Sequence, residues 1–433
     1  MASRFFKMIN KPAHLPRRLT ISFPIWGLHD TPPGGAYHDL EKMVVEHVER
    51  GFNCIRLDDG AGWIHDLSGR PLPSAQLEMP FGKFGRNIRQ IQCTGNGGCC
   101  NLLARLVELA EACKRHGVFL ILSSWFFLHT YWFAADEASN DALFAIRPHE
   151  RHMAFAKLLD HIIMELKKRQ LADRIAFAEI FNEADDFSSL NNGWPNDEPY
   201  AKEEKDRFRH EHTEALRWLK RRHEDILFAY DTCVPHTDQD VMPEANSMQV
   251  WNFHNYFLWN IYSDFEQSPE TQDFLLPVSR RSIEDDVRRQ RGGRRPVCDG
   301  WNRRVWFYGN LDPERIPEAE AWLQRRFERD YEMYWRKFLE SLAKVRTILS
   351  MHCPDAALVC GEGVTYCGST LLQWEEHSER YWQMLGSMVK EYREAGLWGT
   401  VIKTCCGPED PCWHCRADDL LRLNSLFQKD LTC

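Results

Sequence analysis

The chain predicts an α/β fold, a closed (β/α)8 barrel, on three observations. Eight short apolar runs alternate with amphipathic segments, the pattern of parallel strands joined by crossover helices. Glycine stands directly after a predicted helix and before the next strand at Gly51, Gly117 and Gly396, where a left-handed residue can end a helix. Two of the runs close on a carboxylate, in Phe181-Asn182-Glu183 and Cys360-Gly361-Glu362, and barrel enzymes keep their chemistry at strand C-terminal ends.

Taken in order, the strands are predicted at Leu19 to Trp26, Asn53 to Asp58, Val118 to Ser124, Ile175 to Phe181, Ile226 to Asp231, Met248 to His254, Ala357 to Glu362 and Gly399 to Thr404. They are short, β-branched or aromatic and bounded by polar residues, as buried parallel strands are. Helices are predicted at Asp39 to Arg50, Leu102 to His116, His149 to Gln170, Glu203 to Arg222, Glu318 to Leu349, Glu376 to Ala395 and Ala417 to Lys429. Two insertions interrupt the alternation, about 59–100 after the second strand and 257–317 after the sixth, the latter carrying Trp259, Trp301, Trp306 and Tyr308. Loops this long that follow strand ends are expected to wall a pocket on the catalytic face. No repeat, low-complexity tract or linker marks a second domain, so 1–433 reads as one catalytic domain.

Composition narrows the function. The formal charge is −9, and the basic stretch from Arg288 to Arg295 follows Glu284, Asp285 and Asp286, which argues against a nucleic-acid partner. No run reaches transmembrane length, so no membrane partner is expected. Met1 to Leu19 lacks an apolar core and a small-residue cleavage site, and a cytoplasmic location is expected. The 15 cysteines then read as reduced thiols. Cys405, Cys406, Cys412 and Cys415, with His414, approximate a zinc-site spacing without forming a clean pair of CxxC motifs. The first strand lacks the paired histidines of a catalytic metal site, so neither metal nor cofactor is expected.

The chemistry of the two glutamates points to sugars. A glycosidic oxygen leaves poorly unless protonated, while a second carboxylate must stay ionised to attack the anomeric carbon. Two carboxyls about 5 Å apart separate their own pKa values, since one negative charge raises the other's. A neighbouring Arg56 would keep Glu362 charged and leave the proton on Glu183. Simpler readings stand beside these. Asn-Glu after a strand is also an ordinary helix start, Arg56 could pair with Asp58 or Asp59, and His254 and Tyr256 could be packed polar aromatics. Asp185 and Asp186 could form a solvated turn.

In order and placement these motifs resemble the retaining glycoside hydrolases of clan A, in particular the cellulase-like family 5 and its relatives. The resemblance spans nearly the whole chain and implies a TIM barrel. Gly51-Phe52-Asn53-Cys54-Ile55-Arg56-Leu57 is similar to the second strand, whose arginine bonds the nucleophile. Asn182-Glu183 is similar to the fourth-strand pair of sugar contact and acid/base. His254-Asn255-Tyr256 is similar to the sixth-strand His and Tyr, and Glu362 falls at the seventh-strand nucleophile.

Two places depart from the pattern. Ser123-Ser124-Trp125 stands where histidine is usual, with His129 further on. Thr404-Cys405-Cys406 stands near the expected eighth-strand tryptophan, a role open to Trp125 or Trp413. Gly407-Pro408-Glu409-Asp410-Pro411-Cys412-Trp413 reads as a substrate loop whose carboxylates grip sugar hydroxyls, with Lys403 and Asp58 as further contacts. That grip suggests exo action on small glycosides by a retaining β-glycosidase with a carbohydrate as its partner. A non-catalytic sugar-binding or sensor barrel, an endo-acting glucanase- or mannanase-like hydrolase and a transglycosidase are the alternatives.

Overall fold

A computed structural model describes residues 11–24, 27–58, 61–76, 98–124, 138, 142–143, 145–185, 201–234, 238–276, 307–365 and 369–429. Trp125, His129, Asp186, Trp301 and Trp306 lie outside these residues.

Eight parallel strands close into a barrel. They are β1 (Leu19–Ser22), β2 (Cys54–Leu57), β5 (Phe119–Leu122), β6 (Ile175–Glu179), β7 (Phe228–Val234), β8 (Val250–Asn255), β9 (Ala357–Gly363) and β10 (Gly399–Val401), each hydrogen-bonded to its chain neighbour, with β10 closing on β1. The two remaining strands, β3 (Pro73–Gln76) and β4 (Gly98–Asn101), form an antiparallel pair inside the insertion after β2. All eight predicted strands are present, and they are buried along almost their whole length, as strands covered on both faces must be.

The ends differ for local reasons. β1 stops at Ser22 because Pro24 cannot donate to a ladder. β7 starts two residues later than expected and runs on to Val234, so Asp231 lies inside it. β10 ends at Val401, and Cys405 turns the chain with a φ of 57°.

The helices are α1 (Leu40–Glu49), α2 (Ala61–Ile64), α3 (Leu102–His116), α4 (Arg151–Lys168), α5 (Lys202–Arg222), α6 (Trp259–Gln267), α7 (Ile316–His352), α8 (Trp374–His377), α9 (Glu379–Glu394), α10 (Pro411–Cys415) and α11 (Ala417–Gln428). Asp39 caps α1 by accepting from Lys42 N at 2.9 Å, and Asn101 caps α3 by accepting from Ala104 N at 3.0 Å. Gly51, Gly117 and Gly396 all have positive φ, at 78°, 71° and 82°, as their positions after helices predict. The predicted helix from Glu376 is divided at Ser378, whose hydroxyl accepts from Tyr381 N and starts α9. Among the described residues no helix is long and apolar enough to cross a membrane.

Candidate active site

Barrel geometry brings Arg56 from β2, Glu179 from β6, Asp231 from β7, Asn252 and His254 from β8 and Glu362 from β9 to one buried cluster. Arg56 is its hub. Its Nη1 donates to Glu362 Oε1 at 2.5 Å, and its Nη2 to Glu179 Oε1 at 2.7 Å and to Asp231 Oδ2 at 3.3 Å. Nε adds a second bond to Glu179 Oε1 at 3.2 Å, and Nη2 also donates to Asn182 Oδ1. The guanidinium lies 4.5 Å from the centre of the Phe23 ring, so its face is covered while its edge is spent on oxygens. Ser123 stands 3.5 Å from Nη2, and Asp58 is buried where β2 ends.

Glu362 owes its position to the two glycines beside it. Across β8 and β9, Phe253 pairs with Cys360 and His254 pairs with Glu362, which leaves Gly361 as the extra residue of a bulge. Bulges beside active sites re-aim a side chain. A Cβ on Gly361 would lie 2.4 Å from Asn252 Oδ1, and one on Gly363 would lie 2.9 Å from the Asn255 carbonyl oxygen. The bulge therefore needs residues without side chains. Tyr256 donates to Glu362 Oε2. Burial, then the Glu362 charge, pushes the Tyr256 phenol well above its ordinary value, so it stays a donor.

Glu183 sits just beyond β6 in the left-handed region, with φ of 48°. Its backbone N donates to Asp231 Oδ1 at 2.8 Å, and its Oε1 meets His254 Nδ1 at 2.9 Å. The Cys233 thiol also donates to its carboxylate. His254 Nε2 lies 3.0 Å from Asp231 Oδ2 and 3.5 Å from Glu362 Oε1. Burial pushes Asp231 up to about 7, aided by the Glu179 charge. Burial opposes a charge on His254, but the Asp231 and Glu362 carboxylates outweigh it and raise the imidazole well above its ordinary range.

Glu183 departs from the sequence expectation. Burial would raise its carboxyl, yet the His254 hydrogen bond and charge hold it below the usual range. His254 lies between the two glutamates, and its proton takes the place of one on Glu183. Asn182 completes the cluster. Its side chain is 2% exposed, and while Oδ1 accepts from Arg56, Nδ2 has no hydrogen-bond partner.

Oxygen and nitrogen atoms of Glu183, His254 and Glu362 lie within 4.8 Å of one another, close enough to be weighed as a cation site. The donor set does not fit one, because both Glu362 oxygens are engaged by Arg56 and Tyr256 and the guanidinium already supplies the counter-charge.

Four predicted contacts fall elsewhere. Lys403 is buried and donates to Glu375 and, at 3.3 Å, to Glu376, so its charge is spent on those carboxylates. Trp413 is fully buried in the helix layer. Its Nε1 donates to Glu46 Oε2 at 3.0 Å, and its ring stacks on Phe52 with centroids 5.9 Å apart and lies 4.6 Å from His47, which leaves no face for a sugar. Asp410 is buried, and its Oδ2 accepts from Gly407 N at 3.1 Å to hold its own turn. Glu409 accepts from the Tyr37 hydroxyl. In place of Trp413, Thr404 approaches the site, with its Oγ1 3.4 Å from the Tyr256 hydroxyl and accepting from Gly363 N at 2.8 Å.

Among the described residues no three of Cys405, Cys406, Cys412, Cys415 and His414 gather as metal ligands. The Cys412 thiol donates to the Cys405 carbonyl at 3.7 Å, and His414 Nε2 meets the Pro408 carbonyl at 2.9 Å. All the described cysteines are free thiols. Glu179, Asp231 and Asn252 are not among the residues that the sequence nominated, although Asp231 closes the predicted fifth strand as Glu362 closes the seventh.

No protein family pattern and no curated protein matches the chain. Among solved structures it is similar to a protein from Parabacteroides distasonis bearing a provisional glycoside hydrolase designation, with a TM-score of 0.60, 16% identity, and coverage of 95% of this chain and 94% of that one. Weaker likenesses include the endo-β-1,4-mannanase of Thermotoga petrophila, with a TM-score of 0.47, 10% identity and coverage of 96% and 79%. A glycoside hydrolase family 5 enzyme from Prevotella bryantii has a TM-score of 0.46, 11% identity and coverage of 98% and 99%. At these identities the likeness is one of fold, the closed barrel of parallel strands.

Proposed function

We propose that the protein is a retaining glycosidase that cleaves O-glycosidic bonds by double displacement, with Glu362 as nucleophile and Glu183 as acid/base. The observation that carries this reading is the spacing of the two carboxylates, which offer oxygens within 4.8 Å of each other and of His254. Retaining enzymes hold their carboxyls about 5–5.5 Å apart, whereas inverting ones leave about 6.5–9.5 Å for a water.

Each neighbour then has a task. Arg56 and Tyr256 both donate to Glu362, which aims its carboxylate for attack and meets the negative charge that returns to it when the glycosyl ester breaks. The Glu183–His254 pair carries the proton that passes to the leaving oxygen. Glu183, with 22% of its side chain exposed against 3% for Glu362, faces the side from which the leaving group departs and water enters. The free Nδ2 of Asn182 is a ready donor to the sugar hydroxyl beside the anomeric carbon. With Glu409 and Asp410 engaged by Tyr37 and Gly407, nothing in that loop argues for recognition of a chain end, and the proposal is confined to the reaction.

The test is a panel of aryl β-glycosides and β-linked oligosaccharides, with the first-formed anomer followed by NMR. Release of the β-anomer supports the reading. Release of the α-anomer overturns the retaining mechanism, and no cleavage or only reversible binding favours a sugar-binding barrel.

A further inference from the structure

Asp231 is a buried carboxylate that the double-displacement chemistry does not itself call for. It is fully buried on β7 and accepts four hydrogen bonds: from Glu183 N at 2.8 Å, Asn252 Nδ2 at 2.6 Å, His254 Nε2 at 3.0 Å and Arg56 Nη2 at 3.3 Å. Its own carbonyl accepts from Ala184 N at 3.0 Å. Two of these bonds act on the same group by different routes. One pins the backbone of Glu183, a residue without glycine's freedom that is held at φ 48°, where an L side chain is strained unless its surroundings fix it. The other orients the imidazole whose opposite nitrogen meets the Glu183 carboxylate at 2.9 Å.

We propose that Asp231 is a positioning residue of the glycosidase reading, acting through His254 and the Glu183 backbone to aim the acid/base carboxylate and keep one proton on the Glu183–His254 pair. The inference rests on that reading. The chain Asp231–His254–Glu183 is a carboxylate, an imidazole and a carboxylate in sequence, and it titrates as a unit. The groups facing it set the unit's charge. Arg56 supplies a fixed positive charge from β2, while Glu179 from β6 and Glu362 from β9 supply negative ones. Cys233 donates to Glu183 from β7, and Asp185 lies beside it after β6. In the first step the pair's proton leaves a Glu183 oxygen for the glycosidic oxygen as the C–O bond breaks. In the second it is regained from the water that opens the glycosyl ester.

A group acting only on the acid has a distinct kinetic signature, because a dinitrophenyl glycoside leaves without protonation while an alkyl glycoside does not. Asp231→Asn and His254→Gln are compared with wild type on both substrates of whichever sugar the enzyme accepts, with circular dichroism to establish folding. For both variants, kcat/KM on the alkyl glycoside falls by about 100-fold or more, the scale of general acid catalysis. On the dinitrophenyl glycoside it stays within about tenfold of wild type. In Asp231→Asn the alkaline limb of the pH profile moves to lower pH by about one unit, the effect of removing one neighbouring negative charge.

Equal losses on both substrates, or an unmoved alkaline limb, overturn the proposal. If Asp231→Asn does not fold, the substrate split of His254→Gln decides, and equal losses there overturn the proposal equally. A wild type that cleaves neither glycoside overturns the glycosidase reading itself, a different result from an active wild type with no substrate split.

Discussion

Replacing Arg56 with methionine tests the buried cluster as a whole. Methionine roughly matches the arginine stem and removes only the guanidinium. Arg56 has no exposed surface, and its partners Glu179, Asp231 and Glu362 have side-chain exposures of 0%, 0% and 3%. Without it, Glu179 retains Asn252 Nδ2 at 3.1 Å and Glu362 retains Tyr256, but no fixed cation remains in the cluster. Removing one partner of a buried ion pair costs about 3–5 kcal/mol. For 433 residues at about 2.1 cal/mol/K each, the unfolding entropy is about 0.9 kcal/mol/K, so Tm drops by about 3–6 °C.

The sign of the pH dependence follows from Asp231, which burial already holds up at about 7 and which loses a cation in the variant. A carboxyl raised in the folded state supports stability below its unfolded value and loses that support as pH rises through its folded value. The gap between variant and wild type therefore narrows from pH 8 to pH 5. Thermal denaturation by circular dichroism at the two pH values measures it, and adding Glu179→Gln recovers part of the loss. A variant melting within about 1 °C of wild type at pH 8, or a gap that widens on acidification, would refute the reasoning.

Two further predictions concern the shape and the acid limit of the fold. Gly361→Ala puts a Cβ 2.4 Å from Asn252 Oδ1, and overpacking of this kind costs about 1–3 kcal/mol. Its Tm falls, activity falls further because the bulge aims Glu362, and Asn252→Ala restores part of the Tm. His152 is buried against Phe181 and Phe208 with neither ring nitrogen hydrogen-bonded, its nearest ion-pair partner Glu211 being 3.6 Å away. Burial holds it down at about 3. Relative to a free imidazole at about 6.5, charging it costs about 5 kcal/mol, and that stability, whole above 6.5, drains away as pH falls toward 3. His152→Phe therefore unfolds at lower pH than wild type in a fluorescence-monitored acid titration, and an unchanged midpoint would count against this account.

Much of the fold was legible because parallel strands announce themselves as short apolar runs and the glycines after helices mark the register. Among the strand ends that moved, β1 stops short of Pro24, β7 runs on through Thr232 to Val234 and β10 stops at Val401 before the turn at Cys405, places where a proline, a mixed polar run or a left-handed residue decides how far a ladder continues. Within the site, Arg56, Asn182, Glu183, His254, Tyr256 and Glu362 share one cluster because each stands at a strand end or just beyond it. Lys403, Glu409, Asp410 and Trp413 follow the eighth strand in sequence just as closely, yet the turn at Cys405 carries the last three toward Tyr37 and α1. Lys403 turns to Glu375 and Glu376. Distance along the chain does not tell which way a loop folds. Glu179 and Asn252 escaped because a polar residue inside an apolar run reads as an interruption, and Asp231 because no neighbouring motif marks the end of its strand, until the barrel closes and brings the two carboxylates to Arg56 with Asn252 bonded to both.

The central claim, that Glu362 attacks and Glu183 protonates, is tested most directly by azide rescue of Glu362→Ala and Glu183→Ala on a dinitrophenyl β-glycoside. The account predicts that both variants are slow without azide. Glu362→Ala with azide gives the inverted α-glycosyl azide, since azide attacks in the nucleophile's place, and Glu183→Ala gives the retained β-glycosyl azide, since azide opens the glycosyl ester. Exchanged stereochemistry would reverse the two roles, and variants as active as wild type would contradict the assignment outright.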